Sequence, residues 1–231
     1  MSLDLDPDAV LWSAPAAERD GRALLVVMHG RGSDEQDLFS VATDLASELA
    51  SEPASGLPSE FVVASLRAPI AEGPGWSWWP PGGKHGDPDA EWLDSATAAV
   101  TTWLDALPFT PSQIGAFGFS QGGAMALHLL RRDLARTAFA VNLAGFVISG
   151  AQESDAALAV SRPPVFWGRG AEDELFLGDM AELVDRTTPW LAAHATAETH
   201  VYPGLGHSVS REELDDVAAF LRARSAGNPA H

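Results

Sequence analysis

The stretch "FGFSQGGAMAL", residues 117–127, places one serine between two glycines where an apolar run gives way to helix-forming residues. G-x-S-x-G between a strand and a helix is the pattern of a nucleophile elbow, because a Cβ at either glycine would meet the neighbouring strand or helix. Ser120 would then lie in strained backbone geometry with its hydroxyl at a helix N-terminus. The alternative is an ordinary strand-to-helix turn in which Ser120 only caps the helix.

Strand-like and helix-like segments alternate on both sides of this stretch. Buried-strand patterns occur at residues 23–30, 61–70, 114–120 and 138–149, and again in "PPVFWGRG" and "ETHVYPG". Helical periodicity occurs at residues 37–50, 89–107, 121–132, 179–194 and 214–224. Capping-box spacing precedes the first and last of these helices, at Ser33/Gln36 and Ser210/Glu213. The alternation predicts an α/β fold with a mostly parallel sheet and helices on both faces.

No internal repeat or linker divides the chain, so we expect residues 1–231 to form one domain. Its core would span about residues 20–222, with a frayed tail at "SAGNPAH". The loop at residues 71–88 is rich in Gly, Pro and Trp and is expected to be ordered.

Composition excludes several classes of function. The formal net charge is −18, and Lys84 is the only lysine, which disfavours a nucleic-acid partner. There are no cysteines, so disulfides, thiolate metal sites and a cysteine nucleophile are excluded. The acidic N-terminus has no signal-peptide pattern, and no apolar stretch is long enough to span a bilayer. We therefore expect a cytoplasmic protein without stable membrane insertion, whose acidity reflects salt adaptation, codon bias or a solvated surface.

A serine nucleophile requires a histidine base and an acid that orients it. His207 follows the last predicted strand, in "YPGLGHS", and is the best candidate for the base. The acid should precede the histidine in chain order, and Asp173 in "GRGAEDELF" competes there with Glu172 and Glu174. We favour Asp173, because a shorter side chain in a tight loop suits the orientation of an imidazole N–H. Six histidines stand in poorer positions for a base: His29, His85, His128, His194, His200 and His231.

Two backbone N–H groups are needed to stabilise a tetrahedral oxyanion. The residue after the nucleophile, Gln121, is one expected donor, and the loop "HGRGSDE" after the first strand supplies Arg31 as the other. The alternative is that residues 29–32 form a turn and nothing more.

Four motifs, "MHGRGSDEQDL", "GFSQGGAMAL", "GRGAEDELF" and "PGLGHSVSREELDDVAAFL", resemble the carboxylesterase/phospholipase family of α/β-hydrolases, which includes the acyl-protein thioesterases. The likeness runs from about residue 20 to residue 222. It implies an α/β-hydrolase fold without a separate lid domain, ester or thioester substrates, no cofactor or metal, and a possible homodimer. It also implies that Ser120, Asp173 and His207 form a triad, with Arg31 and Gln121 at the oxyanion positions.

The chain departs from this family at two places that bear on the substrate. Relatives usually have a small or apolar residue in place of Arg31, and often an acidic residue after their Trp-aromatic pair, where this chain has Pro80. One hypothesis is that Arg31 favours anionic substrates. A second hypothesis is that three indoles of the loop "GPGWSWWPPGG" line the acyl pocket, namely Trp76, Trp78 and Trp79. The alternative is that these indoles pack the loop onto the sheet.

The residues together predict a serine carboxylesterase that acts through an acyl-enzyme intermediate. A thioesterase or lysophospholipase would use the same residues, and the sequence does not separate the leaving groups. The rival from another class is a catalytically silent binding protein of the same fold, which typically loses one triad residue.

Overall fold

A seven-stranded sheet forms the centre of the computed structural model, which describes residues 2–51, 61–80, 82, 88–178 and 180–225. The strand order is β1-β3-β2-β6-β7-β8-β9, and every pair is parallel except β1 with β3. The strands are β1 (Leu11–Trp12), β2 (Ala23–Met28), β3 (Phe61–Leu66), β6 (Ile114–Phe119), β7 (Thr137–Leu143), β8 (Pro164–Gly170) and β9 (Thr196–Tyr202). A separate antiparallel hairpin consists of β4 (Ile70–Glu72) and β5 (Gly75–Ser77).

Helices cover both faces of the sheet, as the sequence pattern predicted. They are α1 (Phe39–Ser51), α2 (Ala90–Asp105), α3 (Gln121–Arg132), α4 (Asp155–Ser161), α5 (Glu174–Leu177), α6 (Ala181–His194) and α7 (Arg211–Ser225). One face buries apolar side chains of α2, α3 and α6, and the other buries those of α1 and α7. All residues of β2 and β3 are buried, which explains why these strands are apolar at every position except Ser65.

Three local predictions were wrong. The strand predicted over 61–70 ends at Leu66, and Ile70 already belongs to the hairpin. The strand predicted over 138–149 ends at Leu143, because Ala144 adopts a positive φ of 48° that takes the chain out of the sheet. Ser33 does not cap α1, which begins only at Phe39. Ser33 instead pairs with Trp76 of the hairpin. The second capping box is half formed, since the Glu213 N–H donates to Ser210 Oγ at 3.1 Å.

The sequence pattern also missed five short strands and helices, namely β1, β4, β5, α4 and α5. Each is shorter than the window over which hydrophobic periodicity is detectable. Within the described part of the chain no separate lid domain stands over the sheet. The organisation of residues 1–231 as one domain stays a prediction.

Candidate active site

Ser120 lies at the sharp turn between β6 and α3, with φ 54° and ψ −116°. This strained backbone is held by a 2.8 Å hydrogen bond from the Ser120 N–H to the Leu143 carbonyl of β7. The flanking glycines are required: a Cβ on Gly118 would collide with the Gly122 carbonyl, and one on Gly122 with the Met28 carbonyl of β2. The Ser120 side chain makes no capping hydrogen bond to α3. The turn therefore presents the hydroxyl rather than using it as a helix cap.

The structure brings Ser120, His207 and Asp173 into one hydrogen-bonded chain. His207 lies in the loop after β9, and its Nε2 is 2.9 Å from Ser120 Oγ. Its Nδ1 is 2.7 Å from Asp173 Oδ2. An ionised carboxylate only accepts hydrogen bonds, so Nδ1 carries the proton and Nε2 is free to accept from the serine.

Asp173 is fully buried, and its second oxygen accepts a hydrogen bond from the Leu175 N–H at the start of α5. Its neighbours Glu172 and Glu174 are both exposed. The His207 ring packs against Phe119 at 4.9 Å and Phe176 at 6.0 Å between ring centroids. These contacts fix the imidazole between the carboxylate and the hydroxyl.

Four of the remaining histidines lie within the described residues, and none of them hydrogen-bonds to Ser120 or Asp173. His128 is buried in α3, where burial lowers its pKa to about 3. His194 stacks on Trp190, and His200 on Phe166. The fourth, His29, contacts the loop that contains Arg31, while the positions of His85 and His231 fall outside the described residues.

The ring of His29 holds the turn at the end of β2. Its Nε2 accepts a hydrogen bond from the Ala68 N–H at 3.1 Å, which leaves the proton on Nδ1. Nδ1 then donates to the Gly30 carbonyl at 2.7 Å. Burial is the main cause that lowers the pKa of His29, so the ring stays neutral. Because the Gly30 carbonyl is fixed, the peptide plane that contains the Arg31 N–H is fixed as well.

The β4–β5 hairpin clamps the same loop from the other side. The Gly32 N–H donates to the Trp76 carbonyl, and the Trp76 N–H donates to the Ser33 carbonyl, both at 2.8 Å. The guanidinium of Arg31 forms an ion pair with Glu72 of the hairpin. The hydrogen bond from Arg31 lowers the pKa of Glu72. Sequence reasoning missed this clamp, because it joins residues about forty positions apart in the chain.

A cavity of about 520 Å³ opens beside Ser120 and His207. Its lining includes Gly30 and Arg31 of the loop after β2 and the first residue of α3, Gln121. The remaining wall is mainly apolar and includes Trp79, Pro80, Phe119, Phe146, Leu175 and Met180. Ser120, His207 and the two predicted oxyanion residues thus border one cavity at the carboxyl ends of the parallel strands, where ligands bind in open α/β sheets. Asp173 is buried and does not line this cavity.

The three tryptophans of the loop have different surroundings. Trp79 lines the cavity, whereas Trp76 and Trp78 do not. Trp78 has no exposed surface, and its indole N–H donates to the His29 carbonyl at 3.0 Å. Trp76 lies under the guanidinium of Arg67, 5.0 Å from the ring centroid. Trp76 and Trp78 therefore pack the loop onto the sheet, which was the alternative to a pocket role.

Among the described residues no group of three or more His, Asp or Glu side chains is placed to hold a metal ion. In the same part of the chain, no helix has the length and apolar character needed to cross a bilayer.

Comparison with known proteins gives relatives that are named thioesterases and carboxylesterases. The acyl-protein thioesterase 1 of Eremothecium gossypii is 28% identical over 227 residues, which cover 90% of this chain and 90% of that protein. The carboxylesterase SOBER1 of Arabidopsis thaliana is 28% identical over 120 residues, 51% of this chain and 51% of that protein. The second match thus spans only about half of either protein.

Solved structures share the fold. The Bacillus cereus carboxylesterase superposes with a TM-score of 0.71 at 22% identity, over 94% of this chain and 93% of that one. The Zea mays acyl-protein thioesterase 2 superposes with a TM-score of 0.68 at 20% identity, over 94% and 99% of the two chains. These likenesses confirm the predicted α/β-hydrolase fold. A sequence model of one family, Phospholipase/Carboxylesterase, matches residues 14–225. The chain therefore belongs to the phospholipase/carboxylesterase family of hydrolases.

Proposed function

We propose that the protein is a serine hydrolase that cleaves carboxylic esters through an acyl-enzyme intermediate. The observation that carries the proposal is the chain of hydrogen bonds from Asp173 through His207 to Ser120, which ends at the wall of the cavity. A serine hydroxyl is a weak nucleophile at neutral pH, and this arrangement supplies the base that it needs.

In the first half-reaction Ser120 Oγ attacks the ester carbonyl carbon while its proton passes to His207 Nε2. Asp173 stabilises the imidazolium that forms, because its carboxylate accepts the hydrogen bond from Nδ1. The tetrahedral intermediate then collapses, the carbon–oxygen bond to the alcohol breaks, and His207 gives its proton to the leaving oxygen. In the second half-reaction a water molecule attacks the acyl carbonyl carbon and gives a proton to His207. The bond between that carbon and Ser120 Oγ then breaks, His207 returns the proton to Oγ, and the acid is released.

Negative charge on the carbonyl oxygen would be stabilised by the backbone N–H groups of Arg31 and Gln121. Gln121 is the first residue of α3, so the partial positive charge at the start of that helix adds to its N–H. Arg31 is presented by a loop that His29 and the hairpin hold from two sides. A donor of this kind is worth about 3 kcal/mol in the transition state.

The substrate is inferred from the cavity. Phe146, Leu175 and Met180 give it an apolar wall, which suits an acyl chain or another apolar substituent of an ester. Thioester hydrolysis is the second candidate activity, because the relative matched over 90% of both chains is named an acyl-protein thioesterase. A thiolate leaves from the same tetrahedral intermediate, so the same residues would serve.

A fluorophosphonate probe tests the nucleophile. We expect covalent labelling of the wild type and none of Ser120→Ala, whereas Ser33→Ala, which changes another serine of the cavity wall, should still be labelled. Hydrolysis of p-nitrophenyl esters and matched thioesters of increasing acyl length then identifies the leaving group that is preferred. Labelling that persists in Ser120→Ala, or a wild type that is never labelled, would refute the proposal.

A further inference from the structure

The side chain of Gln121 joins the nucleophile turn to the tryptophan loop. Its Oε1 accepts a hydrogen bond from the backbone N–H of Trp78 at 2.8 Å, and its Nε2 donates to the backbone carbonyl of Trp79 at 2.9 Å. Gln121 is buried, as are both tryptophans. Two buried hydrogen bonds from one planar group fix the position of the loop backbone relative to Ser120, the preceding residue.

The carboxamide satisfies both partners because it has one donor and one acceptor group. The Trp78 N–H requires an acceptor and the Trp79 carbonyl requires a donor, so the orientation of the amide is determined by its surroundings. An aliphatic side chain of the same length would leave both backbone groups unpaired inside the protein. A carboxylate would satisfy Trp78 but would place a second acceptor against the Trp79 carbonyl.

The clamped backbone carries one wall of the cavity. Trp79 and the following Pro80 line it on the side of the tryptophan loop, close to Ser120 and Gln121. Trp78 is held from below by its indole N–H on the His29 carbonyl, so the loop has one anchor in the sheet and one in α3. The anchor in α3 joins the Trp79 backbone directly to the residue that follows Ser120.

We propose that the Gln121 side chain is a positioning residue for specificity: it holds Trp79 at the cavity wall and thereby sets which substrate chains fit beside Ser120. This inference rests on the proposed esterase function and assigns the Gln121 side chain a role separate from that of its backbone N–H. The backbone group faces the oxyanion, whereas the carboxamide acts on the wall.

The first test replaces Gln121 by Met, which keeps the length of the side chain and removes both hydrogen bonds. Values of kcat/KM are measured for p-nitrophenyl esters from acetate to decanoate. The chain-length preference is the kcat/KM of the best ester divided by that of the worst ester. We expect this ratio to shrink by about tenfold in Gln121→Met, because a displaced wall no longer discriminates between chains. Gln113→Met is the matched control: Gln113 also hydrogen-bonds a backbone carbonyl, that of Arg224, and does not line the cavity.

A ratio that is equal in wild type, Gln113→Met and Gln121→Met would overturn the inference, and so would a wild type without any chain-length preference. Absence of Ser120-dependent hydrolysis in the wild type is a different result, which would refute the proposed function itself. The two failures are therefore distinguishable.

Gln121→Glu provides a rescue that depends on pH. A protonated carboxyl group has one donor and one acceptor, as the carboxamide has, and burial favours this neutral form. We expect the ratio to approach the wild-type value at low pH and the Gln121→Met value at high pH. Any effect of pH on kcat/KM that is common to all the esters cancels in the ratio. A low-pH ratio no closer to wild type than that of Gln121→Met would overturn the inference.

Hydrogen exchange tests the clamp without any substrate. The backbone N–H of Trp78 should exchange faster with solvent in Gln121→Met than in wild type or Gln113→Met, because its acceptor, the Gln121 Oε1, is lost. Unchanged exchange at Trp78 would show that the carboxamide does not hold the loop, and the inference would fail whatever the ester kinetics.

Discussion

On the triad side of the cavity, Ser120, Asp173 and His207 each follow the end of a different parallel strand, and hydrogen bonds between side chains join them. On the oxyanion side, the backbone of residues 30–33 is held by the β4–β5 hairpin and by the ring of His29. The first region depends on proton positions and charge. The second depends on close approach of two backbones at Gly75, where there is no room for a Cβ.

This difference predicts two kinds of failure. Changing a hydrogen-bonding group on the triad side should alter protonation and leave the backbone in place. Adding a methyl group on the oxyanion side should move the backbone and leave every protonation state unchanged. Kinetic and pH measurements on matched variants separate the two cases.

The largest effect is expected for Asp173→Asn. The amide keeps the shape of the carboxylate but can donate to His207 Nδ1, which stabilises the tautomer with its proton on Nε2. That tautomer cannot accept the proton of Ser120. We expect kcat for a p-nitrophenyl ester to fall by about 10⁴-fold while the chain still folds.

The neighbouring acids provide the control for that experiment. Glu172 and Glu174 are exposed, so their change to Gln should alter kcat by no more than about twofold. A comparable loss in either of these variants, or an Asp173→Asn enzyme within tenfold of wild type, would assign the orienting role elsewhere.

Glu213 of α7 is another buried carboxyl, and it lacks the partners that Asp173 has. Glu213 is 1% exposed, and within the described residues neither of its carboxyl oxygens accepts a hydrogen bond of normal length and angle. Burial raises the pKa of Glu213 to about 7; Asp216 adds to the shift, and the backbone of Ser210 opposes it. Between its ordinary pKa and this value the folded state keeps a proton that the unfolded state has lost.

Stability is therefore lost as the pH rises through that window, by about 3 kcal/mol in full. Glu213→Gln should remove this loss. The quantity to follow is the free energy of unfolding in urea of Glu213→Gln minus that of wild type. We expect this difference to increase by about 2 kcal/mol when the pH rises from about 5.5 to about 8.5. Both pH values lie above the sequence pI near 4.5. Exposed Glu212→Gln should show no such increase. A difference for Glu213→Gln that does not change with pH would mean that its carboxyl is ionised throughout.

The convergence of Ser120, Asp173 and His207 could be anticipated, because the carboxyl ends of parallel strands meet at one edge of the sheet. The different orientations of Trp78 and Trp79 could not, since an irregular loop has no periodicity that assigns side chains to a face. The end of β7 depended on a positive φ at Ala144, a residue type that does not mark such a conformation. The contacts of Gln121 and Glu72 required knowing where distant segments meet.

On the oxyanion side, Gly75→Ala tests the close approach. A Cβ at Gly75 would collide with the Gly32 carbonyl, so the hairpin must move away from the loop that presents the Arg31 N–H. We expect kcat to fall by about a hundredfold, because a misplaced donor no longer meets the oxyanion.

Gly73→Ala separates this effect from simple weakening of the hairpin. Gly73 has a φ of 60° and open space around it, so a methyl group strains the turn without touching the loop. The stability cost should be about 1 kcal/mol, with kcat changed by only a few-fold. Equal kcat values for the two variants would show that the hairpin does not position the oxyanion loop.

The smallest effect is expected for the ion pair between Arg31 and Glu72. Both side chains are partly exposed, and exposed pairs contribute up to about 1 kcal/mol, so Glu72→Gln should lower kcat/KM for a neutral ester by about fivefold at most. The released guanidinium at the cavity wall should raise the preference for an anionic ester over its neutral analogue by about threefold at low salt, and less at high salt. In wild type, Glu72 neutralises that charge, so Arg31→Leu should change the preference less than Glu72→Gln does. If neither substitution changes the preference between anionic and neutral esters, the charge of Arg31 does not select substrates. Arg31 would then act through its backbone N–H alone.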